Sequence, residues 1–175
     1  MSSIYLKNTF GIENPRIGLL NIGTEETKGN ELTKESYKLL KEKSEELNIN
    51  FIGNVEGRDA FSGEIDAIVT DGFTGNIFLK AVEGLGKFVK RSLKDSMKKN
   101  ILSILASIPS LPAMKRFAKT VDYKEYGGAL FLGVKKPVVK AHGSSDEKLF
   151  EFTIKQAEQF VENKACLLYT SPSPR

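Results

Sequence analysis

Two short stretches of this chain hold the residue types that could do chemistry. The first is Asp71-Gly-Phe-Thr-Gly-Asn76 and the second is Lys140-Ala-His-Gly-Ser-Ser-Asp146. Each joins a short apolar run to a helical pattern through small and polar residues. In the first, Gly72 and Gly75 allow backbone angles that a side chain resists. Thr74 and Asn76 are candidate caps for the helix that follows. Unpaired N–H groups at a helix start, with the dipole behind them, favour an anion. Asp71 falls at the carboxyl end of the preceding strand, where open α/β sheets place their ligands. In the second stretch, Lys140, His142 and the N–H groups of Gly143, Ser144 and Ser145 could hold an anion in the same way. The same residues also suit an ordinary capped β-to-α turn, and His142 a hydrogen-bonded turn histidine.

The elements that must position these stretches follow from periodicity. Ser2 to Phe10 reads as a helical end, and Gly11-Ile-Glu-Asn-Pro15 as a loop. Arg16 to Gly23 is a first strand, whose run of Ile17, Leu19, Leu20 and Ile22 suits burial on both faces of a parallel sheet. A polar loop follows, in which Asn21, Thr24, Glu25, Glu26 and Lys28 could face a ligand or simply face solvent. Thr33 begins a helix through Leu47, with Thr33 and Ser36 as candidate caps. Asn48 to Gly53 is a second strand, Glu56 to Asp59 a charged turn, and Ile65 to Thr70 a third strand. A long helix runs from Asn76 to about Ile108 and breaks at Pro109 and Pro112, before a shorter one over Ala113 to Lys119. A tyrosine-bearing turn, Asp122 to Gly128, leads to strands over Ala129 to Val134 and Pro137 to Ala141. Ser144 or Ser145 caps a last helix through Asn163. Strands alternating with helices through short loops predict an α/β fold with parallel βαβ units.

The long helix and its break carry most of the positive charge. Lys87, Lys90, Arg91, Lys94, Lys98 and Lys99 precede the bend, and Lys115, Arg116 and Lys119 follow it. Between them lies an apolar tip of Ile101, Leu102, Ile104, Leu105, Ile108 and Leu111. Basic flanks around an apolar apex suit contact with an anionic membrane surface, each lysine contributing about 1 kcal/mol there. The same side chains suit a dimer interface. Aromatic residues are not interleaved with the basic ones, which speaks against nucleic acid.

Composition narrows the classes further. The 175 residues are 40% hydrophobic and 27% charged with a formal charge of +4, the balance of a globular protein. One cysteine excludes an internal disulfide framework and fits a reducing compartment. One histidine excludes a multi-histidine metal site, and no metal is expected. No run of about 18 apolar residues is present to span a bilayer. Nor does a signal-peptide core open the chain, so a cytoplasmic location is expected. The opening on a helix end suggests that Met1 is an internal methionine. Residues 165–175, from Ala165 through the Ser/Pro-rich Thr170-Ser-Pro-Ser-Pro-Arg175, match a translated sequencing adapter and are expected to be non-native; this sets the sole cysteine, Cys166, aside.

Five segments in succession resemble one family. They are Gly11-Ile-Glu-Asn-Pro15, Gly18-Leu-Leu-Asn-Ile-Gly23, Asp71-Gly-Phe-Thr-Gly-Asn76, Tyr123-Lys-Glu-Tyr-Gly-Gly128 and Lys140-Ala-His-Gly-Ser-Ser-Asp146. Together they resemble the PlsX family of acyl-carrier-protein-dependent phosphate acyltransferases, over residues 1 to about 164 and in its C-terminal half. The resemblance implies a three-layer αβα fold with a mostly parallel sheet, like the isocitrate and isopropylmalate dehydrogenases, carrying a protruding basic helical hairpin at about 77–120. It implies a homodimer without metal, nucleotide or other cofactor. It also implies the reaction: a fatty acyl group passes from acyl carrier protein to inorganic phosphate. A membrane glycerol-3-phosphate acyltransferase would take the acyl phosphate onward to phospholipid, with this protein peripheral to the membrane.

For that reaction the residues divide as follows. Phosphate sits at Gly72, Thr74, Gly75 and Asn76, with Lys140 or His142 and the Gly143–Ser145 turn nearby, and Asp71 orients a donor or holds a phosphate proton. Asn21 and Lys28 serve the carrier or acyl side. Two alternatives stay open: a non-catalytic membrane-docking or dimerisation module, and a phosphotransacetylase using acyl-CoA.

Overall fold

The computed structural model describes residues 1–120, 128–134, 136–141, 143 and 145–162. The sheet at its centre follows from the apolar run Ile17-Gly-Leu-Leu. These residues form β1 (Ile17–Asn21), the middle strand of three, with β2 (Phe51–Glu56) and β3 (Ala67–Val69) parallel to it on either side. Ile17, Leu19, Leu20 and Val55 are buried. Gly18 is required by packing: a Cβ there would lie 2.6 Å from Val55 Cγ1.

A clamp fixes the amino ends of β1 and β3. The Arg16 guanidinium donates to both carboxylate oxygens of Asp66 at 2.9 Å, and the Arg16 backbone N–H donates to the same carboxylate at 2.7 Å. Arg16 also reaches the Gly63 carbonyl at 2.8 Å. These hydrogen bonds to Arg16 hold the Asp66 carboxyl down at about 2.

Helix α2 (Glu31–Glu46) packs against β1 and β2, with the Tyr37 ring edge-on to Phe51 at 5.5 Å. Helix α3 (Gly72–Met97) leaves β3 directly; its Phe78 ring stacks on Phe61 and lies against Gly57. A second group of elements brings together α1 (Ser2–Phe10), the antiparallel strands β4 (Ala129–Leu130) and β5 (Val139–Lys140), and α6 (Glu147–Glu162). Its buried centre is Phe160, packed by Tyr5, Leu130 and Leu132. The α/β layout with a parallel three-stranded sheet matches expectation.

Several boundaries move, each for a local reason. Asn30, not Thr33 or Ser36, caps α2: its side chain accepts the Thr33 N–H. Strand β2 starts at Phe51 because Asn48 takes a left-handed turn at φ 50°, and it runs on through Gly53, whose φ of 94° forms a bulge. β3 is confined to Ala67–Val69. β4 and β5 are short: Gly133 at φ 83° turns the chain, and Pro137 has no N–H to give a ladder.

The long helix expected to reach Ile108 ends at Met97 instead. Lys98 closes it by donating to the Lys94 and Asp95 carbonyls, and Asn100 accepts the Ser103 N–H to begin α4 (Ile101–Ser107). A 3-10 turn, Ile108–Ser110, joins α4 to α5 (Leu111–Thr120), which starts with Pro112 in its first turn, where a missing N–H is tolerated. No residue of α3 is buried along its 26 residues. Among the described residues, no helix is long and apolar enough to cross a membrane.

Candidate functional site

The carboxyl ends of the three strands meet in one polar row. Asn21 at the end of β1 pairs in register with Glu56 at the end of β2. On the other side Leu19 pairs with Val69, so Asp71, two residues on in extended backbone, is level with Asn21. Neighbouring strands lie about 4.8 Å apart, so Glu56, Asn21 and Asp71 stand side by side at this edge.

Asp71 does more than end a strand. It is the N-cap of α3: its Oδ1 accepts the N–H groups of Phe73 at 2.9 Å and Thr74 at 2.8 Å. The expected caps, Thr74 and Asn76, lie inside the helix instead. A carboxylate immediately before the first turn outcompetes a hydroxyl within it, because it reaches the N–H groups two and three residues on at once. Hydrogen bonding by the Thr74 side chain, then by its backbone, holds the Asp71 carboxyl below its ordinary value. The helix start therefore already carries a negative group, which satisfies two of the N–H donors a bound anion would use. A ligand here meets an acceptor as well as the dipole.

The two glycines of the motif differ. Gly75 is fixed by packing, since a Cβ would come within 2.6 Å of Thr70 Cγ2. Gly72 has open space around its Cβ position, so the backbone there is approachable from solvent. Thr74 and Asn76 are both exposed.

The loop between β1 and α2 is held over this edge at three points. Asn21 donates from Nδ2 to the Lys28 carbonyl at 3.1 Å and accepts the Ile22 N–H on Oδ1 at 2.8 Å. Asn54, nearly fully buried on β2, donates to the Glu25 carbonyl at 2.9 Å. Glu26 accepts from the Tyr37 hydroxyl and from Lys41 Nζ. Lys41 first, then Tyr37, holds the Glu26 carboxyl below its ordinary value. Both ends of the Asn21 amide are thus engaged in shaping the loop, and Lys28 stands exposed with Glu25 at 3.9 Å. Sequence reasoning singled out Asn21 and missed Asn54. The signal was an amide between Gly53 and Val55 in the interior of the strand.

The second stretch is only partly described. His142 and Ser144 lie outside the described residues, as do Asp122 to Gly127 and residues 163–175. Lys140 is exposed on β5, and Gly143 is exposed beyond it. Asp146, rather than Ser145, caps α6 by accepting the Leu149 N–H at 2.9 Å. Lys140 belongs to the antiparallel pair and Asp71 to the parallel sheet. No hydrogen bond or ion pair among the described residues joins Lys140 to Asp71, Thr74 or Asn76.

In the helical segment, Lys98, Lys99, Ile101, Leu102, Ile108 and Leu111 are all exposed, Leu102 at 78%. The side chains of Ile104 and Leu105 lie outside those described.

The carboxyl edge of the α/β sheet thus ends in a helix-capping carboxylate beside a pinned polar loop. The chain belongs to the fatty acid synthesis protein family, whose model matches residues 1–168, and this is the PlsX family that its motifs resemble. It is 51% identical over 164 residues to a phosphate acyltransferase of Clostridium perfringens, covering 93% of this chain and 47% of that protein. A phosphate acyltransferase of Clostridium novyi is 48% identical over 163 residues, covering 93% and 48%. One from Thermoanaerobacter pseudethanolicus is 47% identical over 163 residues, with the same coverage. The chain spans about half the length of the curated relatives it matches.

Proposed function

We propose that this chain carries the phosphate-seating edge of an acyltransferase that moves a fatty acyl group from the thioester of acyl carrier protein to inorganic phosphate. The observation that supports it most is Asp71, which caps α3 at the carboxyl edge of the sheet in a chain half identical to phosphate acyltransferases. Phosphate at neutral pH still carries a proton on one oxygen. One Asp71 oxygen holds the helix start, and the other accepts the phosphate hydroxyl. This aims a deprotonated phosphate oxygen at the thioester carbonyl carbon. Gly72 lets the ligand approach the backbone, with Thr74 and Asn76 as neutral donors.

In the reaction a C–O bond to phosphate forms and the C–S bond breaks, its electron pair leaving on the carrier thiolate. The phosphate proton ends on that sulfur. Thiolate leaves readily and phosphate is already anionic, so placement rather than a strong base supplies the rate. Lys140, His142 and the Gly143–Ser145 turn complete the anion site from the second stretch. The chain then contributes to a three-layer αβα fold of the isocitrate dehydrogenase type, dimeric, with acyl carrier protein as partner and no cofactor. The product, an acyl phosphate, passes to a membrane acyltransferase for phospholipid synthesis.

The exposed Leu102 and its neighbours favour a second role in the same protein, docking on an anionic membrane surface through the basic arm.

Acyl-phosphate formation, measured with the chain and with full-length relatives at the matching position, tests the assignment. Asp71→Asn keeps a cap acceptor but loses the charge, and turnover falls about a hundredfold. His142→Ala lowers it as well. Full turnover in both variants overturns the proposal. Equal rates with acyl-CoA in place of the carrier thioester would reassign the donor.

A further inference from the structure

Among the described residues, four large apolar side chains are more than three-quarters exposed: Ile22, Phe73, Ile101 and Leu102. Ile101 and Leu102 are neighbours on α4, in the basic arm. The other two border the polar row at the carboxyl edge of the parallel sheet. Ile22 follows Asn21 directly, and Phe73 lies two residues past Asp71, at 80% and 77% exposure. Single exposed apolar residues are ordinary, but these two are held in a particular way. The Ile22 N–H donates to Asn21 Oδ1 at 2.8 Å, and the Phe73 N–H donates to Asp71 Oδ1 at 2.9 Å. The polar side chains that end the adjacent strands β1 and β3 therefore each fix the backbone of one solvent-facing apolar residue. Between Asp71 and Phe73, Gly72 leaves its Cβ position open.

We propose that Ile22 and Phe73 hold the first methylenes of the acyl chain, so that this edge binds both parts of an acyl phosphate: the phosphate at the start of α3 and the chain against these two side chains. The inference rests on the reading of that edge as the phosphate seat and names what receives the acyl group there. A fatty chain is the occupant that the surroundings favour. A wholly polar ligand gains nothing from an isoleucine and a phenylalanine. A peptide needs backbone partners, and the N–H groups of Ile22 and Phe73 are already taken. An aliphatic chain needs only contact area, and the chain belongs to a fatty acid synthesis family. Because both side chains are so exposed, the contact covers one side of each methylene and leaves the other to solvent.

Alkyl monophosphates test this, since they keep the phosphate and the chain of an acyl phosphate without its labile carbonyl. The 175-residue chain is titrated with inorganic phosphate, methyl phosphate and butyl phosphate while its NMR signals are followed. Inorganic phosphate should move the amides of residues 72–76. Butyl phosphate should also move the Ile22 methyl and Phe73 ring signals, and bind about eightfold tighter than methyl phosphate, about twofold for each half-buried methylene. Ile22→Ser and Phe73→Ser should each remove most of that preference and leave the binding of inorganic phosphate unchanged. Leu39→Ser, at another exposed apolar residue, on α2, should alter neither. In the full-length Clostridium perfringens phosphate acyltransferase, the two serine substitutions at the matching positions should raise KM for the acyl donor at least about fivefold and leave KM for phosphate as it was. Equal binding of butyl and methyl phosphate, while phosphate still moves residues 72–76, overturns the acyl contact and keeps the phosphate seat. A preference for the longer chain that survives both serine variants overturns the contact as well. Residues 72–76 unmoved by inorganic phosphate would remove the seat, and the inference with it.

Discussion

The two ends of the same parallel sheet are built for opposite purposes. At the amino ends, charge is neutralised: Arg16 and Asp66 satisfy one another through three hydrogen bonds, and the carboxyl is held at about 2. At the carboxyl ends, polar groups are gathered and engaged one by one: Glu56 by Arg58, and Asn21 by the loop backbone. Asp71 satisfies a helix rather than a cation, and Glu56 and Asn21 stand in line with it. One carboxylate ties two strands together, and the other, with the same charge, caps a helix. The partner decides the role. A guanidinium consumes both carboxylate oxygens, whereas two backbone N–H groups consume one.

The comparison breaks most sharply at Asp66. Asp66→Asn removes the charge that pairs Arg16 and leaves a half-buried guanidinium with poorer acceptors. A loss of about 1–3 kcal/mol of stability is expected, read as a lower midpoint in urea. Activity per folded molecule should be unchanged. If stability holds and activity falls, the two ends are not separate in function.

Acid sharpens the same contrast. The folded Asp66 carboxyl is depressed to about 2, from an ordinary value of 3.8. Its contribution to stability is therefore complete above about pH 4 and is lost as the pH falls toward 2. Urea midpoints should decline across that window, and Asp66→Asn should flatten the decline. An undiminished slope in the variant would place the acid-labile contact elsewhere.

Next in size is Asn54. Asn54→Leu removes the hydrogen bond to the Glu25 carbonyl, about 1 kcal/mol, while keeping the volume. The loop at residues 22–29 should then exchange its amides faster. In the acyl-transfer assay the Michaelis constant should rise more than the turnover number falls, because the loop positions and does not react.

Much of this was legible in the sequence, and what was missed has a common cause. The buried strand β1, the alternation of strands and helices, and the carboxyl-end position of Asp71 followed from apolar runs and turn residues. Helix caps were misplaced at Asn30 and Asp71, by assigning them to a hydroxyl or amide further along, and at Asp146, by assigning the cap to a serine just before it. The reason is reach: an Asx side chain just outside the helix accepts N–H groups two and three residues on, while a Thr or Ser inside the first turn has no unpaired donor left to serve. The shift of β2 has a different origin. Gly53 reads as a stop, but it serves as a bulge inside the strand. The helix break at Lys98–Asn100 carried no glycine or proline to announce it; a short asparagine cap, Asn100, was enough.

The smallest expected effect on stability falls at Asp71, and for that reason it discriminates best. Asparagine caps helices about as well as aspartate, so Asp71→Asn should change stability by a few tenths of a kcal/mol. Asp71→Ala loses the acceptor altogether and should cost about 1 kcal/mol. If the carboxylate were there only for the helix, turnover would follow stability: near full activity in the Asn variant, and less in the Ala variant. If it holds the phosphate proton, both variants fall together in turnover while only one falls in stability. Urea denaturation run beside acyl-phosphate formation on the same samples separates the two, because a cap needs only an acceptor atom and proton holding needs the negative charge.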